Sequence, residues 1–179
     1  MVYSFEPSQK SYRTLSAIQI EGFQPENLAL GERSGQATLA YSVDGDAGAY
    51  IDNQLSPKDA LYSSEIIDVT TIDSYCDMKK IKEIDLLKLD IEGYELKALA
   101  GASRMLQKNK IKLIQFEFGA PSPENYNMRE FFNLLNDKYQ ICRILKHGYY
   151  PLKEYRHYYE INTVSNFIAI RRDLLGLVS

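Results

Sequence analysis

Apolar residues change period sharply in the middle of the chain. Leu86, Leu87, Leu89 and Ile91 form a short apolar run, the pattern of a strand covered on both faces. From Glu92 to Lys108 the period lengthens, and Leu96, Leu99, Ala100, Ser103 and Leu106 recur as one face of an amphipathic helix. A second apolar run, Ile111 to Phe118, follows Lys108-Asn109-Lys110. The pattern predicts a β-α-β unit, and a right-handed crossover makes its two strands parallel.

The remaining segments extend that alternation. Val2 to Phe5 is β-prone and runs into Glu6-Pro7-Ser8, where Ser8 is placed to cap a helix of about three turns with Tyr12, Leu15 and Ile18 or Ile20 on its apolar face. Asn27 to Leu30 reads as a strand, Gly31 to Gly35 as a turn, and Gln36 to Val43 as the partner arm of a hairpin. Asp44 to Asp59 is polar and without period, the longest loop expected. Glu65 to Thr70 predicts a strand and Thr71 to Lys79 a short helix. After a break at Ala120-Pro121-Ser122-Pro123, a helix is expected from Glu124 to Asn136 with Met128, Phe131, Phe132 and Leu135 inward. Tyr139 to Leu145 and Val164 to Arg171 read as closing strands on either side of a tyrosine-rich connection, Tyr149 to Tyr159. The expected fold is an α/β sandwich, one domain over residues 1–179, with a mostly parallel sheet and an antiparallel carboxyl-terminal strand.

Charge narrows the possible partners. A net charge of −3 gives no global field for nucleic acid or an anionic membrane surface. No apolar run has the length of a membrane span, and the amino terminus lacks the basic-then-apolar pattern of a signal sequence, so a cytoplasmic protein is expected. Cys76 and Cys142 are far apart and outside any CxxC spacing, and read as free thiols. His147 and His157 are isolated, which argues against a histidine-rich zinc site.

The acids around the central unit are the candidate chemistry. Asp90 falls at the carboxyl end of an apolar strand, where a carboxylate is costly to desolvate unless it is paired or reaches the mouth of a site. Glu92 and Glu95 are expected in a first helical turn, where the macrodipole favours negative charge by about 0.3–1 kcal/mol each, so both have a structural explanation. Glu117 closes the next strand, where an ion pair with a nearby lysine is the structural alternative.

Several segments together resemble a known family. They are Val2-Tyr3-Ser4-Phe5-Glu6-Pro7, Asn27-Leu28-Ala29-Leu30-Gly31, Ser34-Gly35-Gln36-Ala37-Thr38-Leu39, Val69-Thr70-Thr71-Ile72-Asp73, Leu87-Lys88-Leu89-Asp90-Ile91-Glu92-Gly93-Tyr94-Glu95 and Gly101-Ala102. The combination is similar to the FkbM-type methyltransferases, class I enzymes that use S-adenosylmethionine. The resemblance implies a Rossmann-like sandwich, with Glu6 on the cofactor ribose and Leu28 and Ala29 beside the adenine. Asp90 would lie near the sulfonium and the acceptor, able to orient the acceptor or take its proton, and Glu117 would face the same crevice. The implied acceptor is an oxygen of a small molecule or sugar. Plain core packing is the alternative for Leu28 and Ala29, and a divalent ion at Asp90, Glu92 and Glu117 stays open.

One departure from the family stands at the start. Such a domain opens with a strand and a glycine-rich turn against the cofactor's methionine moiety, and no segment from Met1 to Ser8 can serve as that turn. With the first β-α unit absent, the strands that flank it would be left with unpaired edges. A fragment of a longer product, an oligomer or second chain completing the sheet, or a non-catalytic remnant acting as a binding or assembly domain are the three expectations that follow.

Overall fold

The structure, a computed structural model, describes residues 1–42, 50–51, 62–119, 127–160 and 164–177. β1 (Val2–Phe5) pairs in parallel with β2 (Phe23–Glu26), and α1 (Gln9–Ser16) joins them. β3 (Ala29–Leu30), β4 (Gly35–Ser42), β5 (Tyr50–Ile51) and β6 (Tyr62–Thr70) form a second sheet in the order β3-β6-β4-β5. Next along the chain are α2 (Ile72–Lys79), β7 (Ile84–Leu89), α3 (Glu95–Ala100), α4 (Ser103–Gln107), β8 (Ile111–Phe118) and α5 (Met128–Leu135). β9 (Tyr139–Leu145), β10 (Gly148–Pro151) and β11 (Ser165–Arg171) complete a third sheet, ordered β10-β9-β11-β8-β7.

The predicted β-α-β unit is present, with β7 and β8 parallel in register from Ile84 opposite Ile111 to Leu89 opposite Phe116. Its helix is not continuous. Gly101 passes so close to the neighbouring chain that a Cβ there would lie 2.1 Å from the Gly31 carbonyl oxygen. The Gly101 carbonyl accepts the Asp73 N–H at 3.0 Å. Asp73 then caps the second piece, accepting the N–H groups of Arg104 at 2.7 Å and Met105 at 3.0 Å. A carboxylate from α2 thus restarts a helix that the local pattern runs straight through.

The expectation of a mostly parallel sheet is corrected. Among the described residues parallel pairing is confined to β1 with β2, β3 with β6 and β7 with β8, whereas β4, β5, β9, β10 and β11 pair antiparallel. The tight Lys146-His147 connection between β9 and β10 can join only antiparallel neighbours, and β11 returns between β8 and β9. The expected hairpin also fails, because β6 inserts between β3 and β4, pairing parallel with the first and antiparallel with the second. The strand Phe23–Glu26 was hidden by Pro25. Val2 donates to the Gly22 carbonyl and Glu6 to that of Glu26, so Gln24 also faces β1 and the missing N–H of Pro25 falls on the outer edge.

Burial follows these pairings. α5 turns Met128, Phe131, Phe132 and Leu135 inward as predicted, and Phe131 stacks on Phe116 at 4.5 Å between ring centroids. Ile111, Ile114 and Phe116 of β8 are fully buried. Among the described residues β7 is covered on one face: Leu87 and Leu89 are buried, whereas Leu86, on the opposite face, is 52% exposed. α1 is one 8-residue helix rather than three turns and buries none of its residues. Ser8 occupies its N-cap position without a side-chain hydrogen bond. The Asp44 to Asp59 loop, apart from Tyr50–Ile51, and the break at Ala120 to Pro123 lie outside the described residues, as does the predicted start of the α5 helix at Glu124.

Candidate functional site

The carboxyl ends of β1 and β7 open onto one cavity of about 580 Å³, and Glu6, Leu28, Ala29, Asp90, Glu92 and Tyr94 are among the residues that line it. Sequence and structure therefore agree in bringing Glu6, Leu28, Ala29 and Asp90 together, although the first and last are more than eighty residues apart. Glu117 is not among the lining residues.

Glu6 is held by its own loop. Its Oε1 accepts the Ser8 N–H at 2.8 Å, which caps the start of α1 in place of the Ser8 hydroxyl. Asn27 secures the same loop from the end of β2, its Nδ2 donating to the carbonyls of Glu6 and Pro7, both at 2.9 Å. Leu28 is half-buried at the cavity, whereas Ala29 is 4% exposed and belongs to a small core with Leu39, Ile67 and Tyr94. Core packing, weighed for both, is thus fuller for Ala29.

The turn after β7 departs from a simple strand-to-helix passage. Glu92 has φ +53 and Gly93 φ +89, so Glu92 lies in a left-handed turn and not in the first turn of a helix. Glu95 folds its carboxylate back beneath that turn, accepting the Ile91 N–H at 3.0 Å, and is 4% exposed. Burial pushes its carboxyl above the ordinary range, and the backbone N–H groups of Ile91, Glu95 and Gly93 pull it part of the way back. Glu95 is therefore a structural acid, and the geometry it sets places Asp90 and Glu92 at the cavity. Asp90 meets both conditions that its apolar context set, a partner and the mouth of a site. It stands just past β7 with 46% of its side chain exposed, and Lys88 Nζ meets Oδ2 at 2.8 Å.

Glu117 sits in β8 behind these acids. Burial, and then the negative charges of Asp90 and Glu92, push its carboxyl above the ordinary range, with Lys88 offsetting part of the effect. The ion-pair alternative fails for Glu117: no described lysine or arginine forms a salt bridge with it, and neighbouring carboxylates outweigh Lys88. Among the described residues no group of three or more His, Cys, Asp or Glu side chains is placed to hold a metal ion.

Asn27 and Glu26, which help shape this site, gave no sign in the sequence, and Glu95, expected to be structural, is so through a different contact. Asn27 and Glu95 act through backbone groups, and only the spacing of Glu95 four residues after Ile91 hinted at its contact. Glu26 accepts the Tyr75 hydroxyl at 2.7 Å and the Lys79 ammonium at 2.7 Å, tying β2 to α2. Cys76 and Cys142 are buried free thiols, and burial pushes both up to about 11. No helix among the described residues is long and apolar enough to cross a membrane.

No curated protein and no solved structure matches the chain. A family model described as the methyltransferase FkbM domain does match, over residues 1–149. That span holds every element from β1 to β9, including both strand ends at the cavity and the turn set by Glu95, and the chain belongs to the FkbM methyltransferase family.

Proposed function

We propose that this chain carries the nucleoside side of an S-adenosylmethionine site and serves methyl transfer to an oxygen of a small molecule or sugar. The observation that carries this reading is the meeting of Glu6, Leu28, Ala29 and Asp90 on one cavity at the carboxyl ends of two strands. Its volume, about 580 Å³, lies within the range of about 300–1,000 Å³ usual for small-ligand sites. With Oε1 of Glu6 given to Ser8, Oε2 has no described donor and is able to accept from ribose hydroxyls. Leu28 and Ala29 supply an apolar wall for the adenine. These residues fit the nucleoside, whereas the described lining contains no glycine to let backbone approach the amino-acid end.

When bound, the cofactor supplies a methyl group on a positively charged sulfur. Asp90 would take the proton of the acceptor hydroxyl, and Lys88 fixes the carboxylate at the cavity mouth. Glu117, outside the lining, adds negative charge behind Asp90. The acceptor site needs no metal in this scheme. The buried free thiols support a reducing, cytoplasmic setting.

Calorimetric titration with S-adenosylhomocysteine tests the nucleoside assignment. Glu6→Gln keeps an acceptor for the Ser8 N–H but removes the charge, and an affinity loss of about 10- to 100-fold is expected. Unchanged affinity overturns the ribose role. Asp90→Asn is expected to lower transfer of a labelled methyl group to hydroxyl acceptors by about 10²- to 10⁴-fold without moving the unfolding midpoint. A second reading, a non-catalytic binding or assembly domain, is favoured by the edges of β1 and β7 that no strand among the described residues pairs. Failure of the nucleoside to bind a folded protein in every assembly state would select it.

A further inference from the structure

Strand direction in the carboxyl-terminal sheet places its β10 edge level with the candidate site. β7, β8 and β9 run the same way, because β7 is parallel to β8 and β11 is antiparallel to both β8 and β9. The turn from β9 to β10 therefore lies at the end of the sheet where Asp90 follows β7. One row of paired residues crosses that end, from Leu89 through Phe116, Phe167 and Arg143 to Tyr150. The row spans four strand spacings of about 4.8 Å, which puts Tyr150 roughly 19 Å from Leu89.

Tyr150 belongs there to a platform of exposed rings. It is 59% exposed and Tyr158 is 61% exposed. Tyr159 joins them: its ring meets that of Tyr158 edge-on at 4.5 Å, its hydroxyl accepts that of Tyr158 at 3.2 Å, and it feels the Tyr150 phenol electrostatically. Burial, and then the Tyr158 hydrogen bond, pushes the Tyr159 hydroxyl up to about 12, so it stays a neutral donor. Phe132 of α5 stacks on Tyr159 at 6.3 Å and fixes the platform to the core. The carboxylates beside it are already held, Glu154 by Arg156 and Glu160 by the Tyr155 hydroxyl and the Met128 N–H.

We infer that Tyr150, Tyr158 and Tyr159 form a sugar subsite, and that the methyl acceptor is a glycan long enough to reach it from Asp90. The acceptor's place at Asp90 rests on the proposed function; the sugar subsite does not. Phenol rings offer flat apolar faces to the C–H face of a pyranose, and their hydroxyls exchange hydrogen bonds with its own. A single sugar at Asp90 would not touch rings roughly 19 Å across the sheet, so several linked units are needed. A protein strand is poorly served at this edge. Leu152 donates to the Ile141 carbonyl, so Tyr150 also faces β9 and the missing N–H of Pro151 falls on the outer side of β10.

An array of immobilised mono- to hexasaccharides, read with the fluorescently labelled full chain, tests it. Binding to glycans of several units and not to single sugars is expected. Tyr150→Ala combined with Tyr158→Ala should weaken that binding by about tenfold or more, and Tyr150→Phe combined with Tyr158→Phe, which keeps the rings, should retain part of it. Both side chains are more than half exposed, so the unfolding midpoint should change little. Should the double alanine variant fail to fold, shifts of the Tyr150 and Tyr158 ring signals in the wild-type chain on glycan binding decide. No binding to any glycan overturns the inference, as do equal binding of single sugars and full binding by the double alanine variant. A wild-type chain that binds glycans but not S-adenosylhomocysteine would sink the cofactor reading and leave the sugar subsite standing.

Discussion

In α5 Met128, Phe131, Phe132 and Leu135 are all buried, whereas α1, of the same length, buries no residue. The sheets beside them differ in the same way. β8 has paired neighbours on both sides and keeps Ile111, Ile114 and Phe116 fully out of water, while β1 has one partner among the described residues and leaves Val2 59% exposed. β7 belongs to both situations: one edge pairs with β8 in the packed sheet, and the other has no partner strand among the described residues. The contrast shows that apolar strand character becomes buried core only where both the face and the edges are covered.

The largest test of this contrast is a pair of truncations. Phe131→Ala removes a ring stacked on Phe116 and is expected to cost about 3–5 kcal/mol, read from urea unfolding. Leu15→Ala in α1, which is half-exposed, should cost about 1 kcal/mol or less. Equal losses would mean that the amino-terminal pair is packed as tightly as the rest.

An intermediate effect is expected at Asp73, whose carboxylate joins α2 to the start of α4. Asp73→Ala leaves the Arg104 and Met105 N–H groups without their acceptor and should destabilise by about 1–2 kcal/mol, with Asp73→Asn recovering part of the loss. No change in the unfolding midpoint would make the split helix self-sufficient.

The smallest expected effect is electrostatic. The Glu117 carboxyl is raised in the folded protein, so its favourable contribution is complete below the ordinary glutamate value and is lost as pH rises through the folded value. Glu117→Gln should therefore match the wild type near pH 3.5, roughly one unit below the ordinary value, and exceed it slightly at about pH 7. A gain of about 0.5 kcal/mol is the scale for a partly exposed like-charge contact. A mutant less stable at neutral pH would mean that Glu117 has a favourable partner.

Sequence period located the elements that pack, and it failed where contacts come from distant chain. Met128, Phe131, Phe132 and Leu135 could be placed inward because a helix repeats its buried face every three or four residues. Gly101 gave no such sign. The approach of Gly31 that stops the helix there is a contact between residues seventy apart. Asp90 was legible in part: its apolar neighbours required a partner or an opening to a site, and the structure supplies both, Lys88 at 2.8 Å and the cavity.

Glu6 and Asp90 as acids at strand ends, the parallel pairing of β7 with β8 and the family itself were all determined by the sequence, because each depends on residue identity within a short stretch. The tertiary structure decided that β6 separates β3 from β4, that Glu95 supports the turn through the Ile91 N–H, and that β1 and β7 border one cavity. Those outcomes depend on which backbone edges meet, and every residue offers the same N–H and C=O to its neighbours.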